Sequence, residues 1–435
     1  MKSALLVTCL VLLFTSSAMA NGRPPGAVGV RVENSKLVVS TTFGFVTSTD
    51  AGATWDWICE TALEIGGTFD PPFELSKSTS QLLLSGLDGL LVSRDSCAYG
   101  GSGLGKRYVG GLAIAANGDV LAAASDNDGS KIYRSTDDGM TFAQASPPFR
   151  NFDSWNSLAV AGPAGGRVYV SGIRLALGQP KKFLLYRSLD GGTSFVETKL
   201  PNVATASLNA ILFIAGVSPT NPDVLYARLT EADGMTGEEL FRSADAGETW
   251  TSILKRQDSL AAFVVRKNGD LIVGTPSSGA LRSTDQGATF SPLTGAPHLN
   301  CLIESADQTL YGCTQNYGAE GDDAAVMKST DGVTWSKVLR FQDIRGPVAC
   351  AAGTVQKDTC EAMEWCATKD QLGITSTAID CAAAPDGGAP MPSAGGCCNA
   401  DGRPQSLVVA LLAVLWLALR GRRKRLHATF RATMS

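Results

Sequence analysis

Loop carboxylates are the side chains of this 435-residue chain best suited to chemistry. Two carboxylates that face each other roughly 6.5–9.5 Å apart across a groove can hydrolyse a glycosidic bond with inversion. The candidates for such a pair are Glu231, Asp233, Glu238, Glu239, Glu320, Asp322 and Asp323. Because acidic loops are usually only solvated, we predict no catalytic residue and keep a glycoside hydrolase as the alternative.

Histidine and metal chemistry are disfavoured by the residues available. The chain has two histidines, His298 and His427, and no nucleophile elbow lies near His298, which disfavours a serine-hydrolase triad. The segment Asp126-Asn127-Asp128-Gly129 begins like a calcium loop, but no Glu stands at its twelfth position, so a plain turn is favoured. We therefore predict no metal and no cofactor.

The charge balance argues against a nucleic-acid partner. Residues 21–400 carry 29 basic and 40 acidic side chains, a net charge of about −11. Binding to phosphates requires a basic face, so nucleic acid is not an expected partner.

A short acidic motif recurs along most of the chain and must organise the elements that position these side chains. Its fullest copy is Ser283-Thr284-Asp285-Gln286-Gly287-Ala288-Thr289-Phe290, with further copies at 48–55, 135–142, 188–195 and 243–250, a shorter one at 329–335 and a remnant at 93–95. The aspartates are Asp50, Asp95, Asp137, Asp190, Asp245, Asp285 and Asp331. Their spacing of 40 to 55 residues predicts a blade-by-blade or solenoid architecture.

The residue types of the motif suit a self-contained hairpin turn. An Asp side chain accepts hydrogen bonds from backbone amides ahead of it, and Gly adopts the positive φ that other residues resist. The Trp or Phe that ends each full copy supplies a large apolar anchor at the start of the next strand.

This pattern resembles the Asp-box, or BNR repeat, of sialidases, sortilin-type receptors, xyloglucanases and a photosystem assembly factor. The resemblance implies an all-β, seven-bladed propeller over residues 21–345, with each box at the turn between the third and fourth strands of a blade. It also implies a structural role for the boxes. The sialidase signature is not matched by Arg23-Pro24-Pro25 or Arg31-Val32-Glu33, and Arg134, Arg187, Arg242 and Arg282 each precede a box Ser, which favours a structural role for these arginines.

If the boxes occupy one face of the propeller, the loops between second and third strands and the links between blades emerge on the opposite face. Long loops there, at 172–182, 230–237 and 315–324, predict the binding face. We expect flat aromatic platforms and an acidic contact on this face, from Phe149, Phe152, Trp155, Tyr317 and Glu320. The expected ligand is a protein or a glycan.

The two ends of the chain predict export and anchoring. Residues 1–20 read as a secretory leader, with Lys2, an apolar core and the cleavage signal Ala18-Met19-Ala20; a short core helix is the alternative. Residues 346–381 form a Cys-rich extension expected to pack on the propeller, and the Ala, Pro and Gly of 382–396 indicate a flexible linker.

Residues 397–435 predict a membrane-associated tail with a short apolar C-terminal helix. Cys397 and Cys398 precede a 13-residue apolar run at 407–419 and a basic cluster, Arg420 to Arg425. This order resembles the Myxo-CTERM sorting tail of myxobacterial surface proteins, which implies a sorting protease and a cell-surface, membrane-anchored location in a bacterium. An ordinary short C-terminal anchor is the alternative.

Ten cysteines follow the leader, and an even number in an exported chain favours disulfides. Cys301 and Cys313 flank a turn symmetrically and are expected to pair across a hairpin. Cys59 and Cys97 are expected to bridge adjacent blades. The remaining group allows three pairings and comprises Cys350, Cys360, Cys366 and Cys381. A zinc site is the alternative, although no His lies nearby.

Overall fold

The computed structural model describes residues 23–66, 70–86, 89–125, 129–232, 237–318, 321–379 and 381. Several sequence-based predictions therefore concern residues outside the described part. They are the leader, the calcium-like segment at 126–128, Asp233, Glu320, the linker and the tail with Cys397 and Cys398.

The described chain folds into seven sheets, each built on four antiparallel strands that follow one another in sequence order. Sheet one contains β1 (Ala27–Glu33), β2 (Lys36–Thr41), β3 (Gly44–Ser48) and β4 (Trp55–Ile58). Sheet two contains β5 (Phe73–Leu75), β6 (Leu82–Gly86), β7 (Gly89–Ser93) and β8 (Gly100–Gly101). Sheet three contains β9 (Tyr108–Ile114), β10 (Val120–Ser125), β11 (Lys131–Ser135) and β12 (Ala143–Gln144).

The other four sheets repeat this order. Sheet four contains β13 (Asp153–Ala161), β14 (Arg167–Arg174), β15 (Lys182–Ser188) and β16 (Val196–Glu197). Sheet five contains β17 (Leu212–Val217), β18 (Leu225–Leu229), β19 (Glu238–Ser243) and β20 (Thr251–Arg256). Sheet six contains β21 (Ala262–Val265), β22 (Leu271–Thr275), β23 (Gly279–Ser283) and β24 (Ser291–Pro292). Sheet seven contains β25 (Cys301–Glu304), β26 (Leu310–Cys313), β27 (Val326–Ser329) and β28 (Ser336–Leu339).

The sheets close into a ring through their first strands. Each first strand contacts the first strand of the next sheet, and β25 contacts β1, so the circle from sheet one to sheet seven is complete. The seven-bladed propeller predicted from the repeat is confirmed, and each sheet is one blade. The middle strands are almost entirely buried, as in β2 and β3, because neighbouring blades cover both of their faces.

Blade one gains a fifth strand that the repeat does not predict. The strand β29 (Ile344–Pro347) pairs in parallel with β4 and places Ile344 opposite Trp55. A π-helix (Gln356–Glu364) and the α-helix α1 (Trp365–Gln371) follow. Short 3-10 turns lie at Thr61–Leu63, Pro163–Gly165 and Phe341–Asp343.

The C-terminal extension packs on blade one. Trp365 is fully buried with its ring 5.6 Å from that of Trp57, and Gln356 Nε2 donates a 2.7 Å hydrogen bond to the Trp57 carbonyl. No helix within the described ranges is long and apolar enough to cross a membrane.

Within the described ranges the cysteines form four disulfides, and two of them correct the sequence-based expectation. Cys301 pairs with Cys313 across a hairpin, as predicted. Cys59 does not pair with Cys97; the actual bonds are Cys59–Cys360, Cys97–Cys350 and Cys366–Cys381. The expectation of a Cys59–Cys97 bridge was wrong because the extension folds back onto blades one and two and offers each cysteine a partner.

Candidate functional site

The acidic turns occupy one face of the propeller, and blade three shows how they are built. Ser135 Oγ donates a 2.7 Å hydrogen bond to Asp137 and accepts one of 2.8 Å from the Gly139 amide. Asp137 in turn accepts hydrogen bonds of 2.5 and 2.9 Å from the hydroxyl and amide of Thr141. These bonds from Thr141, followed by that from Ser135, lower the pKa of Asp137 to about 2.

The other turns repeat this arrangement with local variations. Asp50, Asp190, Asp245 and Asp285 accept the equivalent hydrogen bonds, with Ser194 replacing the usual Thr in blade four. In its shorter turn Asp331 accepts from the amides of Val333 and Thr334, and Asp95 accepts from those of Cys97 and Ala98. All seven carboxylates are thus engaged within their own turns, which supports a structural role.

The turns contain a feature that the motif does not reveal. The residue before the glycine also has a left-handed backbone, with φ of 58–59° at Ala51, Asp138, Ala246 and Gln286. Two consecutive left-handed residues give a turn whose twist matches that of the flanking strands.

On the opposite face, two of the predicted aromatic platforms, Trp155 and Phe149, pack against each other. Trp155 is 0% exposed, and Phe149 packs its ring 4.8 Å from Trp155, 5.0 Å from Tyr186 and 5.2 Å from Phe195. The prediction that Trp155 forms a surface platform is wrong, because its ring is buried in the core between blades three and four. Phe149 is half-buried and packs against that core, so it offers only part of its ring to a ligand.

Phe152 has a different environment from these two rings. Its side chain is 66% exposed, and its backbone has φ of 69°. A left-handed backbone is unusual for a bulky residue, and such outliers cluster at functional sites. The link between blades three and four therefore holds this ring outward at a cost in local conformational energy.

Phe152 borders a cavity of about 370 Å³ between the inner edges of blades three and four, which we call the interblade cleft. The residues lining it are Lys106, Arg107, Tyr108, Ser125, Asn151, Phe152, Asp153 and Ser154. They come from the start of β9, the end of β10 and the start of β13, where the links and loops of the two blades meet. Tyr108 is 39% exposed, so the cleft has two accessible aromatic rings.

The floor of the cleft is a neutralised ion pair. Asp153 has no exposed side-chain surface, and Arg174 donates hydrogen bonds of 2.5 and 2.9 Å to its carboxylate. The hydrogen bond to Asp153 raises the pKa of Arg174 above its ordinary value. Asp153 is therefore committed to the structure and is poorly placed to act as a catalytic acid or base.

The walls of the cleft are rich in hydrogen-bond donors. Burial raises the pKa of Tyr108, so its hydroxyl stays protonated at neutral pH. Ser125 Oγ is buried and has no hydrogen-bond partner among the described residues. The cation of Arg107 lies 5.4 Å from the centre of the Tyr133 ring. Aromatic faces beside hydroxyl and cationic donors are suited to a polar ligand with an apolar face, such as a sugar.

Tyr317 lies in another region of the propeller. It is 36% exposed and its hydroxyl donates a 2.9 Å hydrogen bond to the Leu372 carbonyl. It borders a second cavity of about 550 Å³ together with Pro24, Pro25 and Asn316. The structure therefore does not bring Tyr317 and Phe152 into one site, and Glu320 lies outside the described residues.

The described candidates for a catalytic pair are each held by neighbouring groups. Ser207 donates to Glu231, and Ser259 and the Leu260 amide donate to Glu238. Ser252 donates to Glu239, the Gln315 amide to Asp322, and Lys337 to Asp323. None of the described cavities is lined by two carboxylates.

The sequence placed Phe152 on the loop face but did not identify the polar lining of the cleft. Lys106 and Arg107 form a basic pair in an acidic chain, which is a signal that could have been used. Ser125 and Asn151 carry no such signal, because only the packing of blades three and four brings them together.

Comparison with known proteins gives one significant sequence relative. The chain is 28% identical over 213 residues to a xyloglucanase from Hypocrea jecorina (strain QM6a). The match covers 47% of this chain and 22% of that enzyme, so the chain spans about a fifth of the length of the relative. No family model matches the chain.

Three solved structures are matched at low sequence identity. The extracellular domain of a hybrid two component system from B. thetaiotaomicron is 13% identical with a TM-score of 0.49, covering 70% of this chain and 38% of that domain. A GH74 enzyme from Niastella koreensis is 18% identical with a TM-score of 0.41, covering 70% and 42%. A GH74 xyloglucanase from Xanthomonas campestris is 14% identical with a TM-score of 0.37, covering 72% and 66%. The seven-bladed β-propeller is shown by the strand order of the chain itself, and part of the sequence is similar to a xyloglucanase.

Proposed function

We propose that this chain is an exported, surface-held propeller that recognises a polysaccharide of the xyloglucan class through the interblade cleft. The observation that carries the proposal is the outward Phe152 ring beside Tyr108 and a set of hydrogen-bond donors. The sequence relationship to a xyloglucanase supports a glycan as the ligand. The four disulfides support an oxidising, extracytoplasmic location.

The contacts of the cleft suit a sugar chain better than a protein surface. Sugar rings have an apolar face that packs on an aromatic ring and an edge of hydroxyls that accept hydrogen bonds. Phe152 and Tyr108 provide the rings, and Asn151 provides a polar group at the same opening. A volume of about 370 Å³ accommodates a segment of a chain whose remainder extends over the surface.

Glycoside hydrolysis is the second candidate, and the xyloglucanase relationship favours it over binding alone. The arrangement of carboxylates supports binding alone, because Glu231, Glu238 and Asp322 are engaged by neighbouring groups. Recognition of the polysaccharide is common to both functions. Release of reducing ends is what distinguishes them.

The proposal is tested by titrating the ectodomain with xyloglucan and following binding and reducing-end release in parallel. Replacing Phe152 by Ala removes the exposed ring, and we expect the affinity to fall about tenfold or more, because burial of a Phe side chain stabilises a complex by roughly 1.5–3 kcal/mol. The matched control is Leu189→Ala, since Leu189 is 54% exposed but lies in an acidic turn on the opposite face.

Three outcomes separate the hypotheses. Binding that is lost in Phe152→Ala and kept in Leu189→Ala, without reducing-end release, supports recognition alone. Binding with release assigns the chain to the hydrolases and directs mutagenesis to Asp233 and Glu320. If xyloglucan does not bind, or if both variants bind as the wild type does, the interblade cleft is not the site.

A further inference from the structure

A third cavity lies on the axis of the propeller, apart from the interblade cleft and from the cavity beside Tyr317. This central channel has a volume of about 420 Å³ and is bordered by the inner strands or links of blades one, two, four, five, six and seven. The side chains that supply its positive charge, its amide donor and its aromatic lining are Arg31, Phe73, Asn156, Phe213, Arg228 and Phe263.

The two arginines are each supported by an aromatic ring. The guanidinium carbon of Arg31 lies 5.0 Å from the centre of the Phe73 ring, and that of Arg228 lies 5.2 Å from the centre of Phe213. Phe73 reaches its position because residue 29 is glycine, since a Cβ at this position would lie 2.9 Å from the ring. The guanidinium groups are thus held in place beside an apolar lining before any ligand binds.

Carboxylates near the channel compensate the two cations unequally. Arg31 Nε lies 2.8 Å from Glu74, whereas Arg228 Nε lies 3.7 Å from Glu238. Glu238 already accepts hydrogen bonds from Ser259 and from the Leu260 amide. Burial lowers the pKa of Arg228, and the charge of Glu238 only partly opposes this effect.

A polar group of the channel also lacks a partner. Asn156 Nδ2 is buried and makes no hydrogen bond within the described part of the chain. Asp70, the carboxylate that borders the channel, is paired with Arg23 at 2.9 Å. The channel is therefore bordered by one amide donor without a partner and by two guanidinium groups, each of which spends one Nη1 donor on a backbone carbonyl. The nearby carboxylates are already engaged.

We propose that the central channel is a binding site for a small planar organic carboxylate, which Arg228 and Asn156 contact while the ligand body packs on Phe213 and Phe263. A carboxylate matches the planar fork of a guanidinium, and a flat apolar body suits a channel with three phenylalanines. A phosphate dianion fits less well, because Glu74 and Glu238 already offset most of the positive charge. This site is independent of the glycan proposal.

The probe is benzoate, with benzamide as the neutral compound of the same shape, titrated calorimetrically into the intact ectodomain. We expect benzoate to bind at least tenfold more tightly than benzamide. Arg228→Met should weaken benzoate binding about tenfold or more. Arg345→Met is the control, because Arg345 pairs with Asp56 on blade one and does not border the channel.

Asn156→Leu keeps the test decisive if Arg228→Met fails to fold. Replacing a buried donor that lacks a partner should leave the thermal midpoint unchanged or higher, whereas benzoate affinity should fall severalfold. Three results would each overturn the proposal. Benzoate and benzamide bind equally, or Asn156→Leu leaves the benzoate affinity unchanged. The third is that benzoate shows no binding at 10 mM, which is about ten times the ~1 mM dissociation constant that corresponds to −4.1 kcal/mol.

Discussion

The two faces of the propeller are built on opposite principles. On the turn face, the same short motif recurs and its Ser, Asp and Gly satisfy one another within about eight residues of chain. On the loop face, the links differ in length and sequence, and exposed apolar side chains are more numerous than in the turns: Tyr108, Phe152, Leu175, Leu177, Leu208 and Tyr317, against Met140, Leu189 and Val333. The difference shows that a repeated acidic motif can indicate a turn whose polar groups form hydrogen bonds with one another. The irregular segments, by contrast, supply the surface available for recognition.

Blade two is the exception that makes the comparison testable. In its remnant turn Cys97 stands where the motif has glycine, and it is bonded to Cys350 of the C-terminal extension. Asp95 keeps two amide hydrogen bonds, from Cys97 and Ala98. A covalent link to a distant segment therefore accompanies the loss of the repeated geometry.

The largest effect on stability is expected from removing that link with Cys97→Ser and Cys350→Ser together. The closed loop is about 48 residues when the path runs through Cys59–Cys360, which gives about 4 kcal/mol in the chain-entropy model. The control is Cys301→Ser with Cys313→Ser, whose 12-residue loop gives about 3 kcal/mol in the same model. Urea unfolding measures both, and a greater loss in the control pair would contradict the role given to the blade-two link.

A smaller loss is expected from Ser135→Ala in an intact turn. Ser135 is buried, and its hydroxyl bonds both Asp137 and the Gly139 amide, so its removal leaves that amide without this partner. We expect a loss of about 1–3 kcal/mol in the free energy of unfolding, measured by urea unfolding. The control is Thr136→Ala in the same turn, where the side chain is exposed. Equal losses in the two variants would show that the turn is not stabilised through Ser135.

The sequence predicts the turn face well because each turn is determined by neighbours in the chain. Ser135, Asp137 and Thr141 lie within seven residues, so the residue types and their spacing specify the bonds they make. The Cys301–Cys313 pair is predictable for the same reason, since a hairpin joins the two residues.

The other disulfides, the fifth strand of blade one and the interblade cleft depend on contacts between distant segments of the chain. The Cys59–Cys360 bond joins residues 301 positions apart. The strand β29 pairs with β4, which lies almost 300 residues earlier in the chain. Phe149, Phe152 and Trp155 lie within seven residues at the start of blade four, yet Trp155 is buried, Phe149 is half-buried and Phe152 is exposed. That choice depends on how Tyr186 and Phe195 fill blade four, which no local pattern records.

The smallest effect on stability, and the one of opposite sign, is expected on the loop face from Phe152→Gly. A non-glycine residue in the left-handed region costs roughly 1–2 kcal/mol, while glycine costs about 0.5–1 kcal/mol through its freedom in the unfolded chain. The exposed ring contributes little to packing, so the thermal midpoint should stay level or rise slightly.

Phe152→Ala is the control, because it removes the ring and keeps the strained backbone. Glycan binding should fall in both variants while only the glycine variant gains stability. If both variants lose stability equally, the ring anchors its link, and the contrast between a structural face and a recognition face does not hold at this position.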